Sequence, residues 1–130
     1  MEDDAMPKKI LLVDDSKTVR QQVGITLTDA GYDTVEAADG LEAIDQLKKN
    51  KDVAMIIADV NMPRMNGLEM LEKIAADKVA PGIPILMLTT EGQPDMIERA
   101  RASGAKGWVV KPFKPPMLIA AVKKLAGAPA

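Results

Sequence analysis

The 130-residue chain contains neither cysteine nor histidine. The first absence removes disulfides, thiolate zinc sites and a cysteine nucleophile. The second removes a Ser-His-Asp triad, imidazole metal ligands and any phosphohistidine carried by the chain itself. Aromatics are scarce: Tyr32, Trp108 and Phe113 are the only ones, so the core must be aliphatic. No apolar run approaches the ~18 residues of a membrane span. Met1-Glu2-Asp3-Asp4 is acidic, where a secretory leader would be basic and then apolar. The expectation is a cytoplasmic protein without a membrane partner. A basic excess is missing too. Lys and Arg number 17 against 19 Asp and Glu, a net charge of −2, which is not a nucleic-acid footprint. Chemistry is left to Asp, Glu, Lys, Ser, Thr and one Tyr.

What is present is one domain's worth of chain, 47% hydrophobic and 28% charged, as in globular proteins. Four apolar runs are short and continuous: Ile10-Leu11-Leu12-Val13, residues 53–58, residues 83–88 and Trp108-Val109-Val110. Runs that do not alternate fit strands of a parallel sheet covered on both faces. Thr34-Val35-Glu36-Ala37 is a weaker fifth strand, expected at an edge. Between them lie helix-spaced apolar residues: Val19, Val23 and Leu27; Leu41, Ile44 and Leu47; Leu68, Leu71 and Ile74; Met96, Ile97 and Ala100; Leu118, Ala121, Val122 and Leu125. Ser16 suits the first helix as N-cap, and Ala30-Gly31 stops it. Pro115-Pro116 opens the last helix, where a missing N–H does no harm. Five β-α repeats imply an α/β fold with a parallel sheet, helices on both faces and right-handed crossovers. The domain is expected over residues 8–126, with a loose arm at 1–7 and a frayed end at 127–130.

In such sheets the ligand crevice lies beyond the carboxyl ends of the strands. Those ends carry Asp14-Asp15, Asp59, Thr89-Thr90 and Lys111. A strand-end Asp is by itself most often a turn or cap residue. Here four strands deliver three carboxylates, hydroxyls and an ammonium to one rim. Two carboxylates ~4 Å apart repel by about 4 kcal/mol at an effective dielectric near 20, so the cluster needs a cation. Oxygen-only ligands favour Mg2+, which accepts few carboxylates and keeps room for a phosphate. Asp59 is then a candidate nucleophile, Lys111 a point charge for the phosphate and Thr89 a hydroxyl donor.

The stretches Ile10-Leu11-Leu12-Val13-Asp14-Asp15-Ser16, Asp59-Val60-Asn61-Met62-Pro63-Arg64-Met65-Asn66-Gly67, Leu88-Thr89-Thr90 and residues 104–113 resemble the receiver domain of two-component response regulators. Within that family the single-domain chemotaxis regulators are most similar, and the resemblance runs from about Lys8 to Leu125. It implies a doubly wound (βα)5, flavodoxin-like domain with strand order 2-1-3-4-5. It implies Asp59 as phosphoacceptor, Asp14 and Asp15 as the acidic pair organising Mg2+, and the backbone carbonyl of Asn61 as a further metal ligand. Thr89 resembles the switch hydroxyl, and Lys111 the phosphate-binding lysine, with a cis bond to Pro112. Gly67 would turn the loop after Asp59 into the third helix. Trp108 stands where chemotaxis regulators most often have Tyr, an aromatic that changes rotamer with the threonine; its larger ring carries an N–H that needs a partner when buried. Glu91 would modulate water at the phosphoryl group.

Lacking histidine, the chain would depend on a separate histidine kinase for its phosphoryl group and act as a signalling protein, not as an enzyme on other substrates. Only five residues follow Leu125, so the expected output is phosphorylation-dependent protein binding by a monomer, on the face of the fourth helix, last strand and fifth helix. The flagellar motor switch is the partner the resemblance implies, and Lys106, Lys114, Lys123 and Lys124 near that face suit an acidic peptide. A non-flagellar single-domain regulator, either a phosphorelay intermediate or a phosphate sink, is an alternative. A haloacid-dehalogenase-like phosphatase is more distant. It needs Asp-x-Asp, and Asn61 cannot do the second acid's proton transfer. A flavodoxin is disfavoured because Asp14-Asp15 would repel a cofactor phosphate.

Overall fold

The computed structural model describes residues 7–129. In chain order the elements are β1 (Lys9–Val13), α1 (Lys17–Asp29), β2 (Asp33–Ala37), α2 (Gly40–Lys49), β3 (Val53–Ala58), α3 (Gly67–Asp77), β4 (Ile85–Thr89), α4 (Pro94–Ala102), β5 (Ala105–Val110) and α5 (Pro115–Ala126). All strand pairs are parallel, and the order across the sheet is β2-β1-β3-β4-β5. This is the flavodoxin-like arrangement expected from the sequence.

The continuous apolar runs divide between two cores because successive strand side chains point to opposite faces. Ile10, Leu12, Met55, Ile57, Leu86 and Leu88 pack with Val23 and Leu27 of α1 and Leu118 and Val122 of α5. Leu11, Val13, Ile56, Ala58, Ile85 and Met87 face the other way. They meet Ala43, Ile44 and Leu47 of α2 and Leu68, Leu71 and Ile74 of α3. At ~25 cal/mol per Å2 of apolar surface, these two layers dominate the stability of the domain. They also fix where each strand ends, and hence where the polar residues beyond β1, β3 and β5 emerge.

Several boundaries differ from the sequence reading. β4 begins at Ile85 because Pro84 has no N–H for the ladder; its carbonyl still accepts from the Ile56 N–H at 3.0 Å. β5 begins three residues before Trp108, since backbone pairing with β4 does not require apolar side chains. It is an edge strand, half-buried, with Val110 50% exposed, rather than a strand covered on both faces. Leu41 lies outside the core face of α2, which is made by Ala43, Ile44 and Leu47. α4 is the least embedded helix: Ala100 is its only fully buried residue, and Gln93 makes no side-chain cap bond.

The arm expected at residues 1–7 lies, but for Pro7, outside the described residues. Within the expected C-terminal end, Gly127 and Pro129 each accept a hydrogen bond from the domain. The Lys8 N–H donates to the Pro129 carbonyl at 2.8 Å, and the buried Tyr32 hydroxyl donates to the Gly127 carbonyl at 2.6 Å. Burial holds the Tyr32 phenol above its ordinary pKa. Among the described residues no helix is long and apolar enough to cross a membrane.

Candidate functional site

Three strands end on one spot. Asp14 and Asp15 follow β1 directly and Asp59 follows β3. The central strands are locked in register there, the Asp59 N–H donating to the Val13 carbonyl at 2.9 Å and the Asp14 N–H to Ala37 at 3.1 Å. One carboxylate oxygen from each of Asp14, Asp15 and Asp59 lies within 4.8 Å of the others. Asp14 and Asp59 are 6% and 7% exposed, whereas Asp15 is exposed. From β5 comes Lys111, whose Nζ donates to Asp14 Oδ2 at 2.8 Å and to Asp59 Oδ2 at 3.0 Å. Burial lowers the affinity of this amine for its proton, but the hydrogen bonds it donates to Asp14 and Asp59 outweigh that and raise the Lys111 pKa above the ordinary lysine value. One ammonium faces three carboxylates, so negative charge remains in excess.

The rest of the cradle is backbone. Asp14 Oδ1 accepts from the Ser16 N–H at 2.9 Å, and Ser16 Oγ in turn caps α1 by accepting from the Val19 N–H at 3.2 Å. Asp59 Oδ1 accepts from the Val60 N–H at 2.6 Å. Arg20 reaches up from α1 and donates to the Asp14 carbonyl at 2.6 Å while pairing with Glu36. Gly67, the first residue of α3, packs directly on the Asp59 carbonyl. Any Cβ there would overlap that oxygen, so glycine is required by close approach rather than by a left-handed turn. The Lys111–Pro112 bond is cis.

Thr89 ends β4 and is fully buried; its Oγ1 accepts from the Glu91 N–H at 3.3 Å. Glu91 joins the remaining candidates. Its Oε2 accepts from Asn61 Nδ2 at 2.6 Å, and its carbonyl accepts from Trp108 Nε1 at 2.9 Å. The indole N–H thus has the partner that its half-buried position demands. The candidate side chains thus fall into two groups, with Asp14, Asp15, Asp59 and Lys111 in one and Thr89, Glu91, Asn61 and Trp108 in the other.

Two polar residues of this end escape the sequence. Asp39 is 4% exposed and caps α2 by accepting from the Glu42 N–H at 2.9 Å, and Arg64 Nε donates to its second oxygen at 2.7 Å. Asp39 ahead of a helical stretch with Glu42 three residues later signals a cap, but nothing in the spacing signals Arg64.

An open parallel sheet of this strand order, with an acidic cluster and a lysine at its carboxyl rim, is the architecture of a receiver domain. The family is shown directly: residues 10–123 match the response regulator receiver domain, and the chain belongs to that family. Within it, the chain is closely related to the CheY chemotaxis regulators. It is 48% identical to a chemotaxis protein CheY homolog of Campylobacter jejuni over 111 residues, 85% of each chain. The structure of Vibrio cholerae CheY4 superposes with a TM-score of 0.85 at 45% identity, covering 93% of this chain and 99% of that one. A CheX-CheY-BeF3-Mg2+ complex from Borrelia burgdorferi superposes at 0.83 with 28% identity, covering 92% and 89%. These likenesses support a signalling role rather than one in metabolism.

Proposed function

We propose that Asp59 accepts a phosphoryl group from the phosphohistidine of a histidine kinase, and that the modified protein signals in chemotaxis by binding an output protein. The observation that carries this reading is the convergence of Asp14, Asp15, Asp59 and Lys111 on one spot from three strands. A cluster with more carboxylate than ammonium is built to be completed by a cation. Its donors are all oxygen, and three lie close enough to share one ion, which fits Mg2+. Asp14, Asp15 and Asp59 would hold the ion, with the Asn61 backbone carbonyl as a further ligand. When bound, Mg2+ supplies positive charge opposite the phosphoryl oxygens.

The side chains have separate tasks. An Asp59 carboxylate oxygen attacks phosphorus, an O–P bond forms and the P–N bond to the donor imidazole breaks. Lys111 leaves its carboxylates in part to pair with a phosphoryl oxygen. Thr89 turns its hydroxyl toward the same group. Because the Glu91 N–H now rests on Thr89 Oγ1 and the Glu91 carbonyl holds the indole, that turn is felt at Trp108 and at the start of α4. The weakly embedded α4, edge strand β5 and α5 form the responding face, and a flagellar switch protein is its proposed partner. Glu91, bonded to Asn61, modulates the approach of hydrolytic water. Such a cycle takes place in the cytoplasm.

The test is covalent labelling with a small phosphodonor such as acetyl phosphate. Wild type gains label in Mg2+ and none in chelator, and Asp59→Asn gains none in either. Equal labelling of the variant removes Asp59 from the role. Capture of a motor-switch peptide only by the protein carrying beryllofluoride, a phosphoryl mimic, supports the flagellar output; no such capture favours a non-flagellar regulator.

A further inference from the structure

The loop between β3 and α3, residues 59–66, begins at Asp59 and carries Asn61. Its far end is fixed by Gly67, whose N–H donates to the Val60 carbonyl at 2.9 Å. Its middle is fixed by a different element, the N-terminus of α2. Arg64 Nε donates to Asp39 Oδ2 at 2.7 Å across 25 residues of sequence, and the Gly40 N–H donates to the Met65 carbonyl at 3.0 Å. A Cβ on Gly40 would lie 2.7 Å from Met65 Cγ and 2.9 Å from the Met65 oxygen, so only glycine lets the loop come this close.

Two features go beyond helix capping. Asp39 already satisfies its capping role through Oδ1 on the Glu42 N–H; the Arg64 bond engages the other oxygen. Arg64 also has φ 62, a left-handed conformation uncommon for a residue with a Cβ and, unlike that of Lys78, not part of a helix C-cap. The left-handed backbone and the bond to Asp39 thus fall on one residue, whose side chain is otherwise 62% exposed, and Asn61 is three residues upstream of it.

We propose that Asp39 and Arg64 are positioning residues for the divalent cation, clamping the β3–α3 loop onto α2 so that the Asn61 main chain is held ready beside the acidic cluster. This rests on the Mg2+ site of the preceding section. The sign of one substitution separates positioning from charge. Removing the Arg64 cation from an acidic neighbourhood tightens Mg2+ by Coulomb's law alone, whereas loosening the loop weakens it.

The experiment is calorimetric titration of Mg2+ into the metal-free full chain. Arg64→Asn keeps a residue that tolerates the left-handed backbone and removes the clamp; its Mg2+ Kd rises about 3–10-fold. Asp39→Asn preserves the α2 cap and gives a similar loss, and the double variant is no worse than either, because both break one contact. Arg64→Lys keeps the charge and recovers part of the affinity. An unchanged or lower Kd in Arg64→Asn, with normal binding by wild type, overturns the clamp while leaving the metal site standing. If wild type binds no Mg2+, the site reading falls and the clamp with it. Should Arg64→Asn fail to fold by circular dichroism, Arg64→Gly, which tolerates the left-handed backbone and removes the guanidinium, decides: a weaker Kd supports the clamp, and an unchanged or lower one overturns it.

Discussion

The two ends of the sheet are made from the same strands and treat charge in opposite ways. At the amino end Lys9 pairs with Asp52 at 3.0 Å, but Asp52 is 69% exposed and water screens the contact. At the carboxyl end Lys111 sits between two carboxylates that are nearly out of water, with a third close by. Such a cluster is a poor way to stabilise a fold, since desolvation costs can exceed the attraction gained. The difference teaches that neither the Lys9 pair nor the Lys111 cluster is an efficient source of stability. At one end the pair is screened by water; at the other, one ammonium faces three clustered carboxylates.

The comparison breaks most sharply at Lys111. Replacing it with Met leaves Asp14 and Asp59 without their shared ammonium. In chelator, urea denaturation should show a loss of about 3 kcal/mol, and labelling of Asp59 in saturating Mg2+ should slow about 100-fold. Lys9→Met at the other end should leave labelling unchanged. If both variants behave alike, the two ends are not distinct.

Asp15→Ala comes next, and its sign is the informative part. It removes one of the mutually repelling carboxylates, so the metal-free protein should melt higher by about 3–5 °C for each kcal/mol relieved. It should also show little of the rise in melting temperature expected of wild type on addition of Mg2+. A lower melting point in chelator would mean that Asp15 stabilises the fold in its own right.

The smallest effect is on acid stability. Burial raises the Asp39 pKa, but the Arg64 hydrogen bond and the Glu42 N–H outweigh it, so the folded value lies below that of a free carboxyl. Its contribution is therefore complete above the unfolded value of ~3.9 and is lost as pH falls through the folded one. Denaturation at pH 7, 5 and 3 should give a shallower acid loss in Asp39→Asn than in wild type. Asp52 is also shifted down, by Lys9, yet it is exposed, so Asp52→Asn should follow the wild-type curve more closely. Superimposable curves for all three proteins would remove the buried carboxylate from the account.

The residues legible in the sequence share one property: each stands at or just beyond the carboxyl end of an apolar run. Asp14, Asp59, Thr89 and Lys111 could be placed because a parallel sheet brings such ends together whatever the details of packing. Arg64 could not be placed that way. Its role depends on a left-handed backbone and on a partner that is read locally only as a helix cap. The exposure of Val110 and Leu41 was illegible for a related reason. Periodicity tells which residues are apolar, not which strand borders solvent or how a short helix is rotated about its axis.

The tether between Tyr32 and Gly127 has a practical reach. The residue just before β2 and the segment after α5 share a buried phenolic contact, so a reporter fused directly after Ala126 would displace a carbonyl the folded domain uses. Attached beyond Pro129 through a flexible spacer, the same reporter leaves that contact whole. A loss of solubility in fusions made too close would trace to this buried hydroxyl, some distance from any phosphate chemistry.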